Sequence, residues 1–212
     1  MSEAKVRLVL ASGSPRRLAL LDRIGLAPDL LNPADVDETP QRRETPRRLS
    51  LRLAEDKALK AKTAPQVRAL GAGVYILAAD TVVGLGRRIL PKAETYQQAR
   101  DCLTLLSGRA HWVYSSVCLL APDGTKSIRC VETKVRFKRL SREDLESYLK
   151  CEEWKGKAGG YAIQGRAEAF VRYISGSYSG VVGLPLNETV DLLLGAKFPV
   201  QKRWMDAPPA GL

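Results

Sequence analysis

Serine, glycine and arginine residues stand close together near the start of the chain, in the segment Ser12-Gly13-Ser14-Pro15-Arg16-Arg17. The apolar run before it, Val6–Leu10, predicts a buried strand, and Pro15 suits the first position of a helix. A loop that ends in a helix start offers unpaired N–H groups to an anion, and guanidinium groups bind phosphate oxygens with paired hydrogen bonds. Two interpretations follow: a capped surface helix, or a phosphate site formed by Ser12, Ser14, Arg16 and Arg17.

Asp80 follows a second apolar run, Val74–Ala79, which predicts a buried strand that ends on Asp80-Thr81. A carboxylate at the end of such a strand can deprotonate a water or hold Mg²⁺, or it can simply begin a turn. Glu38 and Glu44, in the irregular connection 27–44, are candidates to complete a metal site. The single histidine and the lack of CxxC spacing among the four cysteines argue against zinc and favour a hard ion held by carboxylates and phosphates.

Two lysines are further candidates. Lys57 belongs to a helix predicted from Thr45-Pro46 to about Lys62, and it shares a face with Leu49 and Leu53. Its side chain either extends along this face to solvent, which is the commoner outcome, or serves a buried anion. Lys92 follows a short predicted strand and has no evident role when taken alone.

Two glycine-rich segments, 157–165 and 176–185, could let the backbone approach a ligand closely, or they could be plain turns. Gln164 lies in the first of them, and its amide could recognise the edge of a base. Neither segment fits the P-loop or the dinucleotide fingerprint. His111, on a predicted strand, is interpreted as structural.

The arrangement of predicted elements indicates a mixed α/β domain with a long antiparallel component. Strands at 111–120 and 126–140 are joined by the turn Ala121-Pro122-Asp123-Gly124, and helices are predicted at 94–106, from Ser141 and near 187–194. With 212 residues, the chain is long enough for one domain or two small ones. We expect the tail, 198–212, to fray because it contains three prolines and little apolar pattern.

The chain is strongly basic, with a formal net charge of +11, so its partner is expected to be polyanionic unless the arginines serve only solubility. An aromatic content of 6% weakens any interpretation as a nucleic-acid-binding protein that stacks bases. No apolar run approaches the roughly 18 residues of a membrane span, and the first residues lack the apolar core of a signal peptide. Together with the cysteine pattern, these features predict a cytoplasmic protein with no membrane partner.

Several ordered blocks of the sequence resemble the Maf family of nucleoside triphosphate pyrophosphatases. They are Leu10–Arg17, Arg52-Leu53-Ala54 with Lys57-Ala58, Ala79–Val83, Lys92, Leu106-Ser107-Gly108 with His111, Lys157–Gly165, and Gly176–Pro185. The family's usual Gly-Lys-Pro stands here as Pro91-Lys92-Ala93. The resemblance implies a Maf/Ham1-like fold over residues 1–197, with an elongated mixed β-sheet, flanking helices and a cleft between two lobes.

The resemblance also implies a function. The Tyr161–Gly165 block is similar to the branch that hydrolyses dTTP and UTP, in which Asp80 would be the proton acceptor. Substrate choice would depend on Thr81, Gln164 and Arg16 or Arg17, while Glu38, Lys57 and Lys92 would line the cleft. Mg²⁺ or Mn²⁺ would bridge the triphosphate to Asp80 and Glu38. A homodimer, and a role in nucleotide-pool housekeeping or cell-division arrest, are further expectations of this kind.

Two alternatives of another class are a basic nucleic-acid-binding protein and a regulatory protein that keeps the fold without its activity. The arginine-rich stretch Gln41–Arg52 favours the first, whereas the lack of a recognised binding motif argues against nucleic acid. The complete set of Arg16, Lys57, Asp80 and Gln164 favours an enzyme.

Overall fold

The computed structural model describes residues 6–206 and contains a seven-stranded mixed sheet with strand order β2-β1-β3-β6-β7-β9, in which β4 pairs with β3. A separate two-stranded sheet joins β5 to β8. The strands are β1 Arg7–Leu10, β2 Leu30–Leu31, β3 Val74–Leu85, β4 Arg88–Leu90, β5 Lys92–Ala93, β6 Ala110–Leu120, β7 Lys126–Phe137, β8 Lys157–Ala158 and β9 Val171–Ser175.

Helices cover both faces of the large sheet. They are α1 Pro15–Arg23, α2 Pro46–Thr63, α3 Pro65–Arg68, α4 Tyr96–Leu106, α5 Arg142–Lys150, α6 Tyr178–Val182, α7 Leu186–Gly195 and α8 Val200–Asp206, with a 3-10 helix over Arg166–Phe170. The predicted mixed α/β class, with its long antiparallel component, is confirmed. No helix within residues 6–206 is both long and apolar enough to cross a membrane.

On the edge of β3 that faces β1 and β4, the pairing with neighbouring strands is interrupted. β1 runs parallel to β3 only as far as the pair Leu10–Leu77, and β4 pairs antiparallel with β3 from Val83 onward. On the other edge β6 pairs with β3 without a break, from Ile76 to Gly84. The middle of β3 is therefore held in the sheet from one side and open on the other.

The prediction that β3 ends on Asp80-Thr81 was wrong. Asp80 lies in the middle of the strand and pairs with Ser116 of β6. The apolar run ends at Ala79, but the ladder to β6 continues through the polar residues because its hydrogen bonds come from the backbone.

Helix α2 packs through small side chains on one face of the sheet. Ala54, Ala58 and Ala61 are fully buried against strand residues that include Ala78 and Cys118. Alanine lets the helix backbone approach the sheet closely, so a longer side chain on the same helix face can reach into the sheet's open edge. Lys57 lies between these alanines in sequence.

The expectation that the tail frays after residue 197 was wrong for the part that the structure describes. Phe198 and Val200 are buried, and the ring of Phe198 makes an edge-to-face contact with Tyr75 at 5.1 Å between centroids. Arg203 in α8 forms an ion pair with Asp29 at 2.6 Å. One aromatic anchor and one ion pair are enough to dock this segment, although its sequence has little periodicity. Residues 207–212 lie outside the described range.

His111 is fully buried in an aromatic cluster, which agrees with its structural interpretation. Its Nε2 atom lies 2.8 Å from the hydroxyl of Tyr161, and its ring packs edge-to-face on Phe137 at 5.1 Å. Burial lowers the pKa of His111 to about 4. The imidazole is therefore neutral in the folded protein at neutral pH.

The buried neutral imidazole predicts acid sensitivity. In the unfolded chain the pKa of a histidine is about 6.5, so His111 becomes protonated there as the pH falls below this value. In the folded protein His111 stays neutral down to about pH 4, so the unfolded state binds one more proton between these pH values. The free energy of unfolding should fall by about 2.5 kcal/mol between pH 7.5 and 4.5 through this residue alone. Urea denaturation at both pH values should show this loss in the wild type and a smaller loss in His111→Gln. Equal losses in both proteins would contradict it.

Candidate active site

A cleft of about 360 Å³ lies against the open edge of β3, between the start of α1, the end of α6 and the segment that follows β8. Ten of the predicted site residues line it: Ser12, Ser14, Arg16, Arg17, Glu38, Lys57, Asp80, Thr81, Lys92 and Gln164. The volume is in the range of small-ligand sites in proteins. Residues from distant parts of the sequence therefore meet in one cavity.

Lys57 contacts two carboxylates, the buried Asp80 and the partly exposed Glu38, and does not extend to solvent. Its Nζ atom donates hydrogen bonds to Asp80 Oδ1 at 2.6 Å and to Glu38 Oε1 at 2.7 Å. The Lys57 side chain is 9% exposed and that of Asp80 only 3%. Because each charge is removed from water, the pair is stable only with both members present.

The carboxylate of Glu38 accepts hydrogen bonds from two lysines of the cleft. Burial raises its pKa, but hydrogen bonds from Lys57 and Lys92 outweigh this effect and hold the pKa at about 2. Glu38 is therefore ionised at every physiological pH. Lys92 reaches it across the cleft although its local sequence departs from the family's usual one.

Glu44 does not complete a metal site. Its two carboxylate oxygens accept hydrogen bonds from Arg52, at 2.9 Å and 3.0 Å, and it does not line the cleft. These two hydrogen bonds between Arg52 and Glu44 hold the connection before α2 against the helix. Glu44 thus has a structural partner, unlike Glu38 in the same connection, whose partners all lie in the cleft.

The segment before α1 has its polar groups arranged around an open helix start. Ser12 Oγ accepts hydrogen bonds from the Ser14 backbone N–H at 3.2 Å and from Arg17 Nη1 at 3.0 Å. Ser14 occupies the N-cap position, as predicted, but its side chain makes no capping hydrogen bond. Pro15 has no N–H and the Arg17 N–H donates to Ser14 O at 3.1 Å, so the Arg16 N–H is the first-turn donor left for an anion in the cleft.

Both arginines are held by carbonyl groups at the end of α6. Arg17 Nε donates to Gly183 O at 2.8 Å, and Arg16 Nε donates to Val182 O at 3.4 Å. Burial lowers the pKa of Arg17, while the nearby charges of Asp80 and Glu38 raise it. Thr81 Oγ1 also points to Gly183 O, at 3.5 Å.

Sequence reasoning missed helix α6 and the role of the carbonyls at its end. The glycine-rich segment that contains it was interpreted as a loop, and the helix is only five residues long. A signal was present in Ser177, whose hydroxyl accepts the Gly180 N–H at 3.0 Å as an N-cap.

Gln164 is exposed at the rim of the cleft, and among residues 6–206 no hydrogen bond occupies its amide. The backbone just before it is fixed: the Ala162 N–H donates to the Tyr148 hydroxyl at 3.0 Å, and Tyr161 contacts His111. A rigid segment thus presents an unengaged amide to the cavity.

Lys157 is a lining residue that sequence reasoning did not single out. Burial, and to a smaller extent the charge of Arg16, lowers its pKa. The cleft therefore contains cationic groups, Arg16 and Lys157, in addition to the two lysines that contact its carboxylates.

The donor set of the cleft fits a divalent metal only in part. Glu38 and Asp80 contact the same ammonium group, so their oxygens lie close together. Within the described residues, no cluster of three or more histidine, cysteine, aspartate or glutamate side chains could hold a metal ion. Two carboxylates suit Mg²⁺ when substrate phosphates and waters supply its other ligands.

The sequence profile of the family described as "Maf-like protein" matches residues 7–196. The chain belongs to the Maf family. Two relatives named dTTP/UTP pyrophosphatase are similar to this Maf protein over nearly their whole lengths. That of Rhodopseudomonas palustris (strain BisB5) is 58% identical over 201 residues, which cover 95% of this chain and 97% of the relative. That of Mesorhizobium japonicum is 56% identical over 203 residues, which cover 96% of this chain and 98% of the relative.

A solved structure of a nucleoside-triphosphatase / dITP/XTP pyrophosphatase from Mycobacterium abscessus is a more distant match. It has a TM-score of 0.37 and 17% identity, and it covers 63% of this chain and 75% of that one. A likeness this distant supports no conclusion about the site.

The buried ion cluster predicts a large effect on stability. Lys57→Met leaves the Asp80 carboxylate buried without its partner, so the free energy of unfolding should fall by about 3 kcal/mol or more. Lys57→Met combined with Asp80→Asn removes both charges and should recover part of this loss. Urea denaturation at pH 7.5 measures both variants. A double variant no more stable than the single one would contradict the ion pair.

Proposed function

We propose that this Maf protein is a nucleoside triphosphate pyrophosphatase that converts dTTP and UTP to the monophosphate and pyrophosphate. The observation that carries the proposal is the 56–58% identity to relatives of that name along almost the whole chain. The convergence of the candidate residues in one nucleotide-sized cleft supports it. We also propose, from the family resemblance, a cytoplasmic homodimer that serves nucleotide-pool housekeeping or cell-division arrest.

In the proposed complex the triphosphate lies along the start of α1. The Arg16 backbone N–H, the Ser12 and Ser14 hydroxyls and the Arg16 guanidinium would donate to phosphate oxygens. Arg17 is tied to Ser12 and Gly183, so it would contribute a fixed positive charge. Gln164 would face the pyrimidine edge with its free amide.

The proposed reaction is attack of a water on the α-phosphorus. Asp80 would accept the proton of this water as the new P–O bond forms and the bond to the bridging oxygen breaks, releasing pyrophosphate. The hydrogen bond from Lys57 to Oδ1 orients the carboxylate. Cationic side chains would stabilise the charge that spreads over the phosphate oxygens, which is the largest contribution a protein makes to such a step.

A divalent ion, Mg²⁺ or Mn²⁺, would be held by Asp80 and Glu38 together with the phosphates, and when bound it would neutralise charge on the phosphate oxygens. Lys57 already neutralises the same two carboxylates. It would hold them in place before the substrate arrives.

Turnover should depend on Asp80. Pyrophosphate release with Mg²⁺ is measured on dTTP, UTP, CTP, 5-methyl-UTP, dATP, GTP and 7-methyl-GTP, and we expect it to be concentrated on dTTP and UTP. Asp80→Asn should lower kcat by a factor of about 10² to 10⁴, because the amide cannot accept the proton. Asp191→Asn, an exposed carboxylate of α7, serves as the control. More than a tenth of wild-type activity in Asp80→Asn would refute its role as base, and a folded protein inactive on every nucleotide would favour the regulatory alternative.

Base recognition should depend on Gln164. Gln164→Ala is expected to lower kcat/KM for dTTP and UTP by about 10-fold to 100-fold, the range for loss of a hydrogen bond that selects a substrate, mainly through KM. Gln97→Ala on α4, an exposed glutamine outside the cleft, should leave the kinetics unchanged. Unchanged discrimination in Gln164→Ala would assign base recognition to another group.

Metal affinity should depend on Glu38 but not on Glu44. Electron paramagnetic resonance of Mn²⁺ with the protein and a non-hydrolysable dUTP analogue measures binding without turnover. Glu38→Gln should weaken Mn²⁺ binding by about 10-fold or more, the loss typical of a disturbed ligand set. Glu44→Gln, in the same connection but bonded to Arg52, should bind as the wild type does. Equal binding by both variants would remove Glu38 from the metal site.

A further inference from the structure

Among residues 6–206, exposed side chains occupy one face of the large sheet beyond the start of helix α2. Helix α2 begins at Pro46, and the ring of Pro46 packs so closely on Gly84 that a Cβ atom there would lie 2.9 Å from it. Beyond this point the same sheet face is open. Its side chains surround a surface pocket of about 610 Å³ over β7 and β9.

Strand register brings aromatic and basic side chains together on this open face. Trp112 of β6 lies opposite Lys134 of β7, and Arg136 of β7 lies opposite Tyr173 of β9. Directly opposite residues in an antiparallel pair point to the same side, with Cβ atoms about 5 Å apart. Trp112 is 37% exposed and Tyr173 is 53% exposed. We call Trp112, Lys134, Arg136, Arg172 and Tyr173 the basic-aromatic face.

The charge of the basic-aromatic face is not neutralised. Among residues 6–206, none of the ion pairs involves Lys134, Arg136 or Arg172. At its edge next to α2, Arg47 pairs with Glu132, and Arg42, Arg43 and Arg48 are exposed nearby in sequence. Through Arg47, the arginine-rich stretch before and within α2 contacts strand β7, in a chain of net charge +11.

The basic-aromatic face and the cleft share no lining residue. The cleft lies beside Asp80, whereas Trp112 pairs with Gly84, four positions further along β3. Neither Lys134 nor Arg136 lines the cleft. A ligand on this face would not displace the nucleotide.

We propose that the basic-aromatic face binds single-stranded nucleic acid. Lys134, Arg136 and Arg172 would contact phosphates, while bases would stack on Trp112 and Tyr173, the combination by which single strands are held without sequence preference. A second copy of this chain is disfavoured as the occupant, because a two-fold contact would bring the same unpaired cations against each other. The low aromatic content seen in the sequence does not count against this site, since two of the rings lie together on it.

The test is fluorescence anisotropy of labelled dT12 and U12 oligonucleotides with the full chain at several salt concentrations. We expect binding that weakens with salt, with a slope of log K against log[salt] of about −2 for three phosphate contacts. Lys134→Glu with Arg136→Glu should weaken binding at least 10-fold. Trp112→Ala with Tyr173→Ala should weaken it at least 5-fold while leaving the net charge unchanged.

The matched control reverses two exposed lysines at the other end of α2. Lys60→Glu with Lys62→Glu lowers the net charge by four, from +11 to +7, as Lys134→Glu with Arg136→Glu does. It should change the affinity less than 3-fold. Pyrophosphate release by all three variants should stay within 2-fold of the wild type, which shows an intact fold.

Several outcomes would overturn the proposal. Equal losses in the two charge-reversed variants would mean that only net charge attracts the oligonucleotide. Full competition by dTTP in an Asp80→Asn background would place the oligonucleotide in the cleft. Conversion of a dimer to a monomer by Trp112→Ala with Tyr173→Ala, measured by light scattering, would make the face a subunit interface. No binding by the wild type at low salt would exclude the site.

Discussion

The ammonium group of Lys57, buried between the carboxylates of Asp80 and Glu38, is the interaction on which the arrangement of the cleft depends. It joins three kinds of segment: a helix, the central strand of the sheet and an irregular connection. The charges of Lys57 and Asp80 would each be costly to bury alone, so each is stable only where the other is present. Helix α2 can supply this group because alanines on the same face bring its backbone close to β3.

The interrupted edge of β3 explains why a cavity exists at this place in the fold. A strand paired on both edges along its whole length would leave no room for a ligand beside its middle residues. Here β1 stops before Asp80 and β4 begins after it, while β6 keeps the strand straight from the other side. The sheet thus provides rigidity and access at the same residue.

Much of the site could be predicted from the sequence because its residues lie in short, recognisable blocks. The segment before α1, the Lys57 helix and the strands of the β6–β7 hairpin follow local rules of capping, periodicity and turns. These local rules gave a wrong strand boundary where pairing between strands distant in sequence decides how far a strand extends. The polar Asp80 suggested a strand end, since nothing in its neighbours reveals that β6 pairs with it.

The same limit applies to the partners of the site residues. The sequence does not reveal which of the two acidic residues in one connection contacts Lys57. Glu44 bonds to Arg52, eight positions further along, whereas Glu38 bonds to Lys57. Helix α6 is too short for a periodic signal, and α8 docks through Phe198 and an ion pair rather than through an apolar stripe.

The contact between Arg17 and Gly183 has a consequence for the order in which the molecule forms. Its two residues are 166 positions apart, and Arg203 reaches back to Asp29 over 174 positions. Closing loops of this length comes late in folding, because the entropy lost must be repaid by contacts already made. During synthesis, the arginines of the first helix can therefore acquire their fixed positions only after nearly the whole chain has left the ribosome.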